Sequence, residues 1–503
     1  MEYNVISYLK NSYENYPERI ACADDTEEIT YGELWHKSDA VASALIKLSC
    51  NNKPIPIISK KSCKTLVVIW GIIKSGTCYV MIDPMLPEER INSILKVLDA
   101  DIAIACSSSK QFTGVEIIEY DNIIDSDVDV EILERQRNAI CDVDPVYIMF
   151  TSGSTGIPKG VVVAHRSVMD FIDCFTDIFH ITNQDVIGNQ APWDFDVSVK
   201  DIYSAAKVGA KIQIIAPKYF SFPKQLIDLL EEEKVTTLIW AVSALCIVSS
   251  RGGFDYRRPS CINKVIFSGE VMPTKQYNIW RTCYPEALFA NVYGPTEITC
   301  NCTYAILDGE YRDDEALPIG IPFPNEHVYL IDDGNLITDE QVGKLGEICV
   351  SGTALALGYY NSSVESEKHF VQNPFIHQYA AKIYRTGDLG YYGDDGKLYF
   401  ASRKDFQIKH MGHRIELSEI ERAVNRLDEV SVNCCIYYED EIVDFVVGNI
   451  EGREIQRELR KTLPVYMIPN RFVIKDSLPL NSHGKIDRKE LVWGLEKGNY
   501  DEK

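Results

Sequence analysis

The chain has 503 residues, too many for one hydrophobic core, so two or more domains are expected. Its 46% hydrophobic and 25% charged content is that of an ordinary globular protein. A net charge of −23 and a pI near 4.9 argue against a nucleic-acid partner, and any bound phosphate must be held by local donors and metal.

The fifteen cysteines contain no C-x-x-C pair, so they read as scattered reduced thiols in a cytoplasmic protein. The amino terminus shows no signal-peptide pattern, and no apolar run reaches membrane-spanning length. In chain order, the apolar spacing of Val5, Tyr8, Leu9 and Tyr13 predicts a helix over 4–16. Thr30 followed by Glu33 reads as a capping box opening a second helix. Short apolar strands at 55–58 and 102–104 flank a buried helix at 66–73, and a further helix starts at Pro87. Strands alternating with helices imply an α/β domain with a mostly parallel sheet. Residues 107–143 read as a polar surface connection.

Between the apolar segments 146–149 and 161–163 lies TSGSTGIPKG, from Thr151 to Gly160. Small residues let the backbone approach an anion, and successive N–H groups form a nest for phosphate oxygens. Thr151, Ser152, Ser154 and Thr155 add hydroxyls, Gly153 adds freedom and Lys159 adds charge. The spacing is not that of the Walker loop, yet strands on both sides and the closing lysine favour a triphosphate grip over a flexible hairpin.

In APWDFDVSVKDIY, Asp194 and Asp196 stand at the start of a helix. Either caps it, or Asp196 binds a substrate ammonium; on this segment alone the cap is favoured. Val265 to Glu270 and Asn291 to Glu297 are each a strand, a glycine turn and an acid, the place where open α/β sheets bind ligands. Glu297 suits a divalent cation on phosphates, and Tyr293 suits a base or the core. Asp388, in YRTGDL, suits the vicinal hydroxyls of a ribose or a structural turn. Residues 402–409 read as a linker into a small domain with strands at 432–437, 442–447 and 472–474 and a helix near 454–461. That domain ends in a polar tip around Lys485.

Taken in order, TSGSTGIPKG, NVYGPTE, YRTGDL, SRKDFQIK with GHRIELSEIE, and NSHGKIDR resemble the adenylate-forming superfamily of acyl-CoA synthetases, luciferases and nonribosomal-peptide adenylation domains. The resemblance covers nearly the whole chain. It implies an α/β fold: a large core domain of mixed and parallel sheets over 1–402, and a small, mobile α+β domain over 403–503. Asp196 stands where amino-acid-activating members keep an aspartate for the α-amino group, which shifts its reading from cap to ligand.

The resemblance implies the chemistry: ATP and an amino acid give an aminoacyl adenylate and pyrophosphate, and the acyl group then passes to the phosphopantetheine thiol of a carrier protein. Lys485 is then catalytic, with Thr151, Thr296 and Glu297. Thr151, Ser152, Gly153, Ser154, Thr155 and Lys159 steady the leaving phosphates, Glu297 holds magnesium, and Thr296 touches the α-phosphate. Asn291 and Tyr293 sit at adenine with Gly294, Gly269 and Glu270 nearby, and Asp388 with Arg403 takes the ribose. Asp405 matches a hinge, and Gly412 a pantetheine tunnel.

Alignment to the family lines the substrate pocket with Asp196, Val197, Lys200, Trp240, Ile266, Ser268, Val292, Cys300 and Asn301. Trp240 should shorten it; Lys200 either pairs with an acidic side chain or turns outward. A small or polar amino acid is expected. FSGEVMP and SVKDIY also resemble the D-alanine–carrier-protein ligases of teichoic acid modification. Those usually have cysteine where Ser268 stands and an apolar residue where Lys200 stands. An acyl-CoA synthetase is argued against by Asp196, and a non-catalytic nucleotide-binding regulator by Lys485, Glu297 and Asp388.

Overall fold

A computed structural model describes residues 3–48, 53–107, 111–152, 157–404, 407–479 and 486–500. The chain divides into two compact units. The first holds Met1–Pro84, Val97–Met149 and Gly160–Lys404; the second holds Met85–Lys96, Phe150–Lys159 and Asp405–Lys503. The division thus falls after Lys404, two residues beyond the expected boundary. Arg403 ends the strand Leu398–Arg403, which pairs with Lys382–Tyr392 and belongs to the large unit.

The large unit is built on three sheets. One runs, in order, Ile321–Pro322, Thr303–Ile306, Leu288–Tyr293, Lys264–Ser268, Thr237–Ala241, Val186–Asn189, Lys211–Ile214, Ile20–Ala23 and Glu28–Thr30. Its six middle strands are parallel, and antiparallel strands close both edges. Parallel strands are covered on both faces. Accordingly Thr237–Ala241 is buried at every position, with Ile239 in one apolar core and Trp240 in another on the opposite face. A second sheet carries Pro145–Thr151 beside Lys159–Ala164. The third is antiparallel and contains Gly346–Gly352 and Lys382–Tyr392.

The expected capping box is present: the Thr30 side chain accepts from the Glu33 N–H, and Glu33 accepts from the Thr30 N–H. Each such cap contributes about 1 kcal/mol. Residues 107–143 differ from the expectation of a bare connection. They include a strand, Glu116–Glu119, parallel to Ile102–Ala105, and a helix, Val130–Ala139, whose N–H at Ile132 is capped by Asp129. The strand is four residues long and flanked by glutamates, so its apolar signal is two residues wide.

In the small unit, Val430–Tyr438 and Glu441–Gly448 form a hairpin, with Arg471–Ile474 parallel to the second strand. The segment read as a linker instead contains a hairpin, Gln407–His410 with His413–Glu416. Its turn residues Met411 and Gly412 both have positive φ, 52° and 81°, as a two-residue hairpin turn of this hand requires. The carboxyl-terminal part of the unit also has the helices Leu417–Val424, Gly452–Leu459 and Arg488–Glu496. Among the described residues no helix is long and apolar enough to cross a membrane.

Candidate active site

The large unit gathers two groups of predicted residues at the carboxyl ends of its parallel strands. The first centres on the helix Val197–Val208. Asp196 precedes it, is 6% exposed, and makes no capping hydrogen bond to the helix. The cap, favoured on the segment alone, is therefore not what its side chain does. One turn on, Lys200 is fully buried. Its Nζ donates to Ser268 Oγ at 3.0 Å and to Asn301 Oδ1 at 2.9 Å. Lys200 thus turns inward and draws Ser268 and Asn301 together. The Cys300 thiol lies against Asn301 Oδ1 at 3.4 Å, and burial pushes its pKa up to about 12, so it stays protonated and unreactive.

Strand register decides which neighbours share this face. Ile239 pairs with Ile266 and Ile266 with Ala290, so Ile239, Ile266, Ser268 and Val292 project to one side by alternation. Trp240 projects to the other. Its Nε1 donates to Gly188 O at 2.7 Å, and its ring meets Phe220 edge-on. The expectation for Trp240 therefore meets a different facing: the residue of that strand on the face of Ile266, Ser268 and Val292 is Ile239. Val197 is buried in the helix's first turn.

The chain returns to this face through a tight loop. Cys302 N–H donates to Tyr293 O at 2.8 Å, closing residues 293–302. A Cβ on Gly294 would lie 2.5 Å from Asn301 Cα and 2.7 Å from Cys300 O, so only glycine lets the two ends meet. Thr299 and Cys300 both take positive φ, 52° and 80°, and Thr299 Oγ1 is anchored on Ala354 O at 2.7 Å. Backbone strain here fixes where Cys300 and Asn301 stand.

The second group lies around Asp388, which is 2% exposed. Tyr293 donates its hydroxyl to Oδ2 at 2.5 Å, and Arg403 pairs with Oδ1. Burial and the Asp388 charge both raise the Tyr293 phenol, keeping it a donor. A carboxylate has about four acceptor sites, so two remain for further donors such as vicinal hydroxyls. Asn291 is buried and donates to Pro318 O at 2.8 Å. Thr296 and Glu297 form a short turn after Pro295; Glu297 is 1% exposed and accepts from the Tyr359 hydroxyl at 2.6 Å. Among the described residues no cluster of three or more metal-ligating side chains exists. One buried carboxylate fits magnesium, which is held largely by phosphates and water rather than by a protein cage.

Gly269 has φ 96°, open to glycine alone at little cost. Glu270 accepts from Ser243 N–H at 3.0 Å, satisfying the start of the helix Val242–Ser250.

Thr151, Ser152 and Lys159 fall in the small unit's grouping, where Ser152 donates to Arg414 O at 2.9 Å. Gly153, Ser154, Thr155, Asp405 and Lys485 lie outside the described residues.

Sequence reasoning missed Lys61, Asn189 and Asp201. Lys61 Nζ donates to Asn189 O at 2.9 Å and Gln190 O at 2.7 Å. Asn189 Nδ2 donates to Asp201 at 2.5 Å, and Trp193 Nε1 donates to Asn189 Oδ1 at 3.2 Å. This ties the turn before Asp196 to the helix that carries Lys200. Burial pulls Lys61 down to about 7 and pushes Asp201 up to about 7. Consecutive charges, Lys200 and Asp201, inside an apolar helix were the readable signal; Lys61 left none.

The sequence model of the AMP-binding enzyme family matches residues 9–360. The D-alanine–D-alanyl carrier protein ligase of Bacillus licheniformis is 30% identical over 97% of this chain and 98% of its own. Zwittermicin A synthase ZmaJ of Bacillus cereus is 32% identical over 95% of this chain and 92% of its own. In fold, the chain is similar to the Vibrio cholerae adenylation domain AlmE in complex with glycyl-adenosine-5'-phosphate, with a TM-score of 0.84 at 20% identity over 99% of this chain and 98% of that one.

Proposed function

The chain belongs to the AMP-binding enzyme family, adenylate-forming ligases that use ATP, and we propose that it activates an amino acid and loads it onto a carrier-protein thiol. The observation that carries this reading is Asp196. A buried carboxylate that does not cap its helix is suited to an ammonium ligand, which an amino acid has and a fatty acid lacks.

The amino acid's carboxylate oxygen attacks the α-phosphorus of ATP. The bond from that phosphorus to the bridging oxygen breaks, and pyrophosphate leaves. Both partners are anionic, so a cation between them lowers the barrier; Lys485 is assigned that role. Asp196 orients the ammonium, and Asp388 with Tyr293 and Arg403 orients the ribose, which is positioning catalysis. Thr151, Ser152 and Lys159 steady the leaving phosphates with Gly153, Ser154 and Thr155, and Thr296 touches the α-phosphate. Glu297 would hold magnesium, which when bound neutralises phosphate charge. Asn291, Gly294, Gly269 and Glu270 frame the adenine side. In the second half-reaction the phosphopantetheine sulfur attacks the acyl carbonyl and AMP leaves, with Asp405 as the hinge between the two arrangements.

The named activity of the Bacillus licheniformis relative, D-alanine–D-alanyl carrier protein ligation, is the second reading, favoured by end-to-end coverage. The buried Lys200 weighs against so small and neutral a side chain. Exchange of pyrophosphate into ATP, screened over D- and L-amino acids and fatty acids, tests the proposal. Exchange with an amino acid, abolished by Asp196→Ala, is expected; exchange with fatty acids alone refutes it.

A further inference from the structure

Two lysines are fully buried among the described residues, Lys74 and Lys200. They are partnered differently. Lys74 Nζ sits 2.8 Å from Asp39 Oδ1, so its charge is neutralised within the protein. Lys200 Nζ reaches two neutral oxygens, Ser268 Oγ and Asn301 Oδ1, and forms no ion pair among the described residues. The carboxylate next along its helix, Asp201, is turned to Asn189 at 2.5 Å. Asp201 acts on Lys200 only through space, without a direct ion pair. A buried cation held only by neutral hydrogen bonds recovers just part of its desolvation cost.

The cost is placed where a ligand can offset it. Asp196 and Lys200 are four residues apart, hence about 6 Å apart along one face of the helix. Ile239, Ile266 and Val292 line the same sheet face and offer no polar group. Ser268 and Asn301 hold the ammonium in one orientation, as a recognition group requires.

Resting on the amino-acid-activating reading, we infer that the substrate carries a side-chain carboxylate, which Lys200 binds while Asp196 binds the α-ammonium. The substrate class is a dicarboxylic amino acid. Lys200 is then the specificity determinant, supplying the positive charge that a neutral isostere cannot use.

The test compares aspartate, glutamate and 2-aminoadipate, in both stereochemical forms, with asparagine, glutamine, alanine, glycine and serine in pyrophosphate exchange. One acid should exceed its own amide by at least about tenfold in kcat/KM. Lys200→Met, which keeps length and removes charge, should abolish that ratio. It should also raise the melting temperature of the ligand-free protein, because a buried charge with no direct ion pair is gone. A wild-type enzyme that prefers alanine, glycine, serine or an amide overturns the inference and leaves the amino-acid reading intact. A Lys200→Met protein that keeps the acid preference also overturns it. No exchange with any amino acid removes both.

Discussion

Trp240 separates the two ways of placing the substrate pocket. Alignment of motifs puts it in the pocket wall; strand register puts it behind the sheet, on Gly188 O and Phe220. Trp240→Phe removes the indole N–H hydrogen bond, about 1 kcal/mol net, and leaves a small void, about 1–2 kcal/mol more. The variant should therefore lose about 2–3 kcal/mol of stability, seen as a lowered melting temperature of the large unit. Its amino-acid preference and KM in pyrophosphate exchange should stay at wild-type values. Ile239→Phe should do the reverse, shifting KM and preference, because that side chain lies on the face shared with Ser268 and Val292. A Trp240→Phe protein that melts normally but changes its substrate profile would refute the register argument.

Two further outcomes are expected. Lys485→Ala should lose adenylation far more than transfer from preformed adenylate, measured as separate half-reactions; equal loss of both refutes the assigned role. In the small unit, Asp444 is buried beside Asn433, and burial pushes its carboxyl up to about 7. A carboxyl whose folded pKa exceeds its unfolded value near 4 adds stability that is full below about pH 4 and lost as pH rises through about 7. Relative to wild type, Asp444→Asn should therefore gain stability as pH rises from 4 to 8, on the order of 2–4 kcal/mol at the upper end and read as a raised melting temperature; a flat difference across that range would exclude Asp444 as the source.

How far the sequence carried depended on how much of each feature was local. The capping box at Thr30 is written in four consecutive residues, and the structure repeats it. The strand–turn–acid pattern ending at Glu270 and at Glu297 places residues at sheet ends because the chain must turn there. Facing is different. Thr237–Ala241 is buried at every position and apolar from Leu238 onward, so no alternation remains to say which residue takes which face, and a one-residue choice goes to either side. Lys61 is harder still. It holds backbone carbonyls about 130 residues away, and backbone groups have no identity in a sequence.

The same distinction explains why the Asp196 to Lys200 segment admitted two readings until its surroundings were known. An aspartate at a helix start is ordinary, and a lysine in a helix is ordinary. Their meaning comes from what encloses them. Asn189, gripped by Lys61, ties down Asp201 and fixes the rotation of the helix about its axis. With Asp201 held on that side, Lys200, 100° further round, has Ser268 and Asn301 as its partners. A helix free to roll would let both charges reach water, and neither would then distinguish one amino acid from another. On the proposed reading, selectivity therefore depends on residues that need not touch the substrate.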